Sequence, residues 1–173
     1  GSYTSVLNVT GADAGNYNIT ISNADLVIDK AALTVTGNSL SSTYNGQTQS
    51  VTGWTANGLL GTDTTADLVN VTANGASGRN AGSYTNTVTA GTQTNYIITT
   101  QNGSLDIAKA NASVSGTTTN VTYNGQTQTQ GAPTSSGFVM GDAITISGTA
   151  SGKNAGSYTS VLNVTGADAG NYN

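Results

Sequence analysis

The chain has 173 residues, with four Lys or Arg, eight Asp, no Glu, His or Cys, and a net charge of −4. Without imidazole or thiol there is no ordinary zinc site, thiol nucleophile or Ser-His-Asp triad, and four bases leave no electrostatic footprint for nucleic acid. No apolar run approaches the ~18 residues that mark a spanning helix, so no membrane insertion is expected.

From the N-terminus onward the expected elements are strands. Tyr17, Ile19 and Ile21 alternate, Ser22-Asn23-Ala24 turns, and Leu26 and Ile28 alternate again. Leu33 and Val35 follow with the opposite parity, so the buried face flips across Asp29-Lys30-Ala31-Ala32. A face cannot flip within one regular strand, and the flip marks a short join between domains. Val69 with Val71, Tyr96 with Ile98, Leu105 with Ile107, and Ile144 with Ile146 repeat the period of two, the mark of a strand with one buried face. Asn-Gly at 45–46, 57–58, 74–75, 102–103 and 124–125 supplies the positive-φ positions of tight hairpins. No helical stripe occurs. The expected fold is all-β, with tandem Ig-like β-sandwich domains set in an extended rod.

Internal repeats set the organisation. Residues 156–173 repeat residues 1–18 letter for letter. Within that long register lies a shorter one, with units of roughly 75–80 residues. Tyr44-Asn45-Gly46-Gln47-Thr48-Gln49 returns as Tyr123-Asn124-Gly125-Gln126-Thr127-Gln128, and Asp63 returns as Asp142. Asn80-Ala81-Gly82-Ser83-Tyr84 returns as Asn154-Ala155-Gly156-Ser157-Tyr158. The expected division is 1–29 as the C-terminal part of one repeat, 30–108 as a complete repeat, and 109–173 as a repeat lacking its last hairpin.

The residues that could carry chemistry have structural readings beside the functional ones. The eight Tyr fall at repeat-equivalent positions, which favours packing over a stacking platform for sugars or bases. Asp13-Ala14-Gly15-Asn16-Tyr17 has the spacing of a tyrosine corner, in which the hydroxyl bonds back to upstream backbone. Asp168, Gly170 and Tyr172 repeat it, and Gly82 with Tyr84 and Gly156 with Tyr158 are variants. Asp25 and Asp29, near the first join, are the candidate Ca²⁺ ligands, though Ser104 and Ala108 stand in their places in the next unit. Asp63 and Asp67 are close together, while Asp142 stands alone. Hard oxygens must converge for Ca²⁺, so no cofactor is expected. Lys30 and Lys109, at the joins, read as solvated side chains and not as isopeptide donors.

Several motifs in fixed order carry a family resemblance: Lys109-Ala110, Val121-Thr122-Tyr123-Asn124-Gly125, Gly141-Asp142, Ala155-Gly156-Ser157-Tyr158 and Gly166-Ala167-Asp168-Ala169-Gly170-Asn171-Tyr172. Together they resemble the MBG and YDG repeats of giant secreted bacterial exoproteins. Tyr-Asn-Gly replaces the usual Tyr-Asp-Gly, and the first unit lacks Asp-Ala-Gly before Tyr96. The resemblance implies a non-catalytic stalk or scaffold of a cell-surface adhesin or biofilm-matrix filament. Its partners would be neighbouring repeats of the same polypeptide or fibre, with lateral self-association as a further contact. The rival readings are a glycan- or ice-binding β module, and a self-assembling fibre subunit joined by strand complementation.

Overall fold

A computed structural model describes all residues from 1 to 173. The chain is all-β apart from three single 3-10 turns, and no helix is long and apolar enough to cross a membrane. Twelve strands precede the second join: β1 (Ser2–Thr4), β2 (Asp25–Val27), β3 (Ala31–Gly37), β4 (Leu40–Thr43), β5 (Gln49–Val51), β6 (Trp54–Asn57), β7 (Thr72–Ala73), β8 (Ala76–Gly78), β9 (Gly82–Asn86), β10 (Val88–Thr89), β11 (Tyr96–Gln101) and β12 (Gly103–Ala108). After it come β13 (Ser113–Ser115), β14 (Gln128–Thr129), β15 (Thr134–Ser136), β16 (Thr145–Ser147), β17 (Ser151–Gly152) and β18 (Asn163–Thr165).

Residues 30–108 carry two three-stranded sheets, β11-β3-β6 and β4-β12-β9, with two smaller ladders, β5-β8 and β7-β10. The chain crosses from the first sheet to the second twice, at Asn38-Ser39 and at Asn102. Both crossings run in the same direction, so β3–β4 and β11–β12 lie parallel throughout. Their register never slips: Ala31 faces Tyr96 in the first sheet and Leu40 faces Leu105 in the second. An immunoglobulin-like sandwich has antiparallel sheets, and these two parallel ladders depart from it.

The backbones crowd together at the bend. A Cβ on Gly103 would stand 2.2 Å from the Asn38 carbonyl oxygen, and one on Gly37 would stand 2.6 Å from the Gly103 nitrogen. Asn86, fully buried, holds the bend. Its amide donates to the carbonyls of Asn38 (3.1 Å) and Gly53 (3.0 Å), and its oxygen accepts from Gly75 N–H (2.9 Å). Asn102 accepts from Val88 N–H at 3.0 Å. The expected hairpin at Asn102-Gly103 is therefore absent. Its Asn serves as a cap, its Gly admits a neighbouring backbone, and β11 and β12 pair with other strands. The hairpin expected around Ser22-Asn23-Ala24 is also absent, because residues 17–24 form no strand. Gly46, Gly58, Gly75 and Gly125 do adopt positive φ, but their turns link strands of different ladders.

Two apolar clusters form the core. Leu33, Val35, Val88 and Tyr96 make the first, within residues 30–108. The second spans the join. Tyr44, Leu105 and Ile107 come from one side and Tyr172 from the other, with Ala112, Phe138, Val139 and Ile144 packed on them. Residues 109–173 repeat the preceding pairings: β13-β15, β14-β17 and β16-β18 match β3-β6, β5-β8 and β7-β10. The parallel bridge Ala110–Tyr172 matches Ala31–Tyr96.

The joint between repeats as candidate functional site

Strand β4 delivers Tyr44 to the join, where its N–H donates to the Ala108 carbonyl at 2.8 Å. The Asn45-Gly46 turn follows, with Gly46 at φ 77° and Asn45 accepting from Gln47 N–H at 2.9 Å. Arg79 directly follows β8 and leads into Asn80-Ala81-Gly82. Across the join stand Asp142, at the end of a turn whose Gly141 has φ 92°, and Asp168, at the start of the 3-10 turn Ala169–Asn171.

These groups converge. The Arg79 guanidinium donates to Asp142 Oδ1 (2.8 Å), Asp168 Oδ1 (2.7 Å) and the Gly46 carbonyl (2.9 Å). The hydroxyls of Tyr44 (2.8 Å) and Tyr172 (2.5 Å) both donate to Asp142 Oδ2. Tyr172 in turn accepts from Val139 N–H at 2.8 Å. The Tyr44 and Tyr172 rings meet edge to face, 5.5 Å apart at 81°, and the Arg79 guanidinium carbon lies 5.8 Å from the Tyr44 ring centre. Asn171 completes the contact by accepting from Ala81 N–H at 2.8 Å.

The Asp142 side chain is 1% exposed. Burying a carboxylate is costly unless it is paired and hydrogen-bonded, and both its oxygens are occupied. Burial first, and the bond to Asp142 second, push the Tyr44 hydroxyl up to about 12. The same two causes raise Tyr172. The Ala143 N–H first, and Arg79 second, hold Asp168 below the usual carboxylate range. The arrangement can lock two units together.

The same clasp recurs inside residues 30–108 without its cationic half. Tyr96 donates to Asp63 Oδ2 (2.6 Å) and accepts from Leu60 N–H (3.0 Å), the counterparts of the Tyr172 bonds. Asp67 lies apart from it, accepting from Thr64 N–H and the Thr64 hydroxyl at 2.8 Å each.

The residues singled out in the sequence do not gather in one place. Tyr84 donates to the Asn80 carbonyl (3.0 Å) and Tyr158 to the Asn154 carbonyl (3.1 Å), four residues upstream in each case. Each ring lies flat over a glycine, Gly78 or Gly152, where a Cβ would come within 2.2 Å of ring carbon. Gly82 and Gly156 sit beside those rings. Tyr172 does not close a local corner, because its hydroxyl goes to Asp142 across 30 residues; Asp168 serves Arg79 and Ala143, and Gly170 lies within the 3-10 turn. Asp13, Gly15 and Tyr17 form the same turn, but Tyr17 is exposed and its hydroxyl makes no protein bond. Asp25 accepts from the Thr4 hydroxyl at 2.6 Å, and no three acidic side chains gather around it or Asp29. Lys30 donates to the Gln93 carbonyl at 2.5 Å. Sequence reasoning missed the grouping of Tyr44, Arg79, Asp142 and Asn171. The available signal was a cation, Arg79 or Lys153, in front of each Asn-Ala-Gly-Ser-Tyr run.

Residues 33–106 match the family described as MBG domain (YGX type). No curated protein and no solved structure matches the chain.

Proposed function

We propose that this chain is a structural segment of an extracellular, adhesin-like repeat protein, in which successive MBG-type units act as a spacer. The observation that carries this reading is the joint. Tyr44 of one unit and Tyr172 of the next share one core, and with Arg79, Asp142 and Asp168 they form one bonded network. A joint of this kind fixes the angle between units, and a fixed angle converts repeat number into reach. MBG-type repeats occur in adhesin-like surface proteins and are non-catalytic, which agrees with a scaffold held outside the cell and supports no enzymatic role.

The test is the width of a distance distribution between spin labels at the exposed positions Thr62 and Thr149, one in each unit. A spacer with a locked joint gives a narrow distribution that broadens in Asp142→Asn. A broad distribution in the unmodified chain would overturn the reading. Saturable binding in a glycan screen, lost on changing exposed Tyr residues, would favour the binding-module alternative.

A further inference from the structure

We propose that the turn Tyr44-Asn45-Gly46-Gln47-Thr48-Gln49 is a self-modification site, at which Asn45 loses its side-chain amide to the backbone nitrogen of Gly46 and becomes aspartate or isoaspartate. The reactants are the chain itself and water, and the product lies in the joint. The chemistry stands apart from the spacer reading; its effect on the angle between units rests on that reading.

The reaction balances without oxidant or cofactor. The Gly46 nitrogen gives its proton to solvent base and attacks Asn45 Cγ. The new C–N bond closes a cyclic imide, and the Cγ–Nδ2 bond breaks with release of ammonia. Water then adds to one of the two imide carbonyls and reopens the ring. Opening at Cγ leaves aspartate. Opening at the main-chain carbonyl leaves isoaspartate, with the chain running through Cγ. One water enters and one ammonia leaves.

The turn presents each reacting group. Asn45 is exposed, so water reaches it. The Gly46 N–H bonds to no protein acceptor, and at φ 77° this residue has no side chain to crowd the attack. Asn45 Oδ1 accepts from Gln47 N–H at 2.9 Å and from Gln49 Nε2 at 3.4 Å. Gln49 Nε2 is itself held by the Thr43 carbonyl at 3.1 Å. Negative charge develops on Oδ1 as the nitrogen adds to Cγ, and donors already aimed at that oxygen lower the barrier. Asn124-Gly125 repeats the turn. Asn124 Oδ1 accepts from Gln126 N–H at 2.9 Å, Gly125 has φ 78°, and Gln128 Nε2 is held by the Thr122 carbonyl at 3.1 Å.

The other three Asn-Gly pairs lack this combination. The Gly75 N–H after Asn74 donates to Asn86 Oδ1 at 2.9 Å, a bond that must break before its nitrogen can attack. Gly103 after Asn102 is buried in β12 against Gly37 and Asn38, away from the base that must take its proton. Asn57 lies in β6 opposite Thr34. Closing the imide folds the main chain back on the side chain, which an extended strand opposes.

The product alters the joint. The Gly46 carbonyl accepts from Arg79 Nε at 2.9 Å, and a Cβ on Gly46 would lie 2.7 Å from Val139 of the next unit. Isoaspartate lengthens the main chain by one carbon between Tyr44 and Gly46. Tyr44 is anchored on Asp142, so the added length displaces Gly46 from its place between Arg79 and Val139. The joint then loosens as the chain ages, with no partner required.

The experiment incubates the whole chain in mildly alkaline heavy-oxygen water, folded and in urea, and follows each Asn-Gly peptide by mass spectrometry. In the folded chain Asn45 and Asn124 should take up label, as aspartate and isoaspartate, at least roughly tenfold faster than Asn57, Asn74 and Asn102. In urea the five rates should converge. Equal rates in the folded chain, or a ranking that persists in urea, would overturn the proposal. This ranking needs no variant. Spin labels at Thr62 and Thr149 then report the joint before and after ageing. The distance distribution should broaden as isoaspartate accumulates at Asn45, in the unmodified chain and in Asn124→Gln, and stay narrow in Asn45→Gln. A distribution that stays narrow once Asn45 has converted would overturn the loosening. One that is broad before ageing tells against the spacer reading, and the rate ranking still decides the modification.

Discussion

Tyr44 and Tyr172, from opposite sides of the join, donate to the same carboxylate oxygen, Asp142 Oδ2, at 2.8 and 2.5 Å. One buried acid thus counts the units on both sides: it is fully bonded when both tyrosines and Arg79 are present. Asp63 in the preceding unit has the equivalent of one of them, Tyr96. The difference between the two acids is the Tyr44 hydroxyl and the Arg79 guanidinium, which reach Asp142 alone.

Asp142→Ala should destabilise the chain by about 3 kcal/mol or more, the scale for removing one partner from a buried charge network. It leaves the Tyr44 and Tyr172 hydroxyls without an acceptor in a closed space. Asp63→Ala should cost about 1 kcal/mol, one hydrogen bond at an exposed site. Urea melts of the two variants measure the gap. Equal effects would mean that the joint adds nothing to the clasp.

Stability should be flat between about pH 5 and 9 and fall on both sides. The chain has no His or Cys to titrate within that range. Tyr44 is pushed up to about 12 and Tyr172 is raised, so the folded chain holds protons that the unfolded chain releases from about pH 10 upward. That contribution is complete below pH 10 and is lost as the pH climbs towards 12. Asp168 is lowered, so below the ordinary carboxylate range the unfolded chain takes up its proton first. Its contribution is complete at neutral pH and is lost as the pH falls through the folded value. Thermal melts across the pH range check both limbs, and Tyr44→Phe should remove part of the alkaline one.

Gly103→Ala should cost about 2–3 kcal/mol through overpacking, because the new methyl points into the backbone of Gly37 and Asn38. Gly170→Ala, in open space and with no positive φ, should lie within about 0.5 kcal/mol of the unmodified chain. Composition treats the two glycines alike. Their costs differ because one sits where two strands bend past a third.

What the sequence made legible depended on range. Period two at Leu33 and Val35, and at Leu105 and Ile107, identified strands and buried faces, because alternation is a property of neighbouring residues. Pairing did not follow. Asn102-Gly103 carries the same dipeptide as Asn45-Gly46, yet its Gly lacks positive φ and its Asn caps Val88. Arg79 meets Asp142 and Asp168 across 63 and 89 positions, and no local pattern reports such a distance. The repeats did fix which residues are equivalent. The structure then showed that equivalent residues, such as Tyr44 and Tyr123, take different environments according to whether a neighbour covers them.

Tyr84 and Tyr158 close identical corners over Gly78 and Gly152, yet Tyr84 packs on the core that spans the join, whereas Tyr158 is 49% exposed. Tyr84→Ala should cost about 3 kcal/mol, in the range for truncating a packed aromatic side chain. Tyr158→Ala should cost about 1 kcal/mol, where one backbone hydrogen bond and partial cover are at stake. Tyr84 has its cover from β12, on which Leu105 stands opposite it. Melting temperatures of both variants measure the gap. Equal losses would mean that this cover adds nothing to the corner.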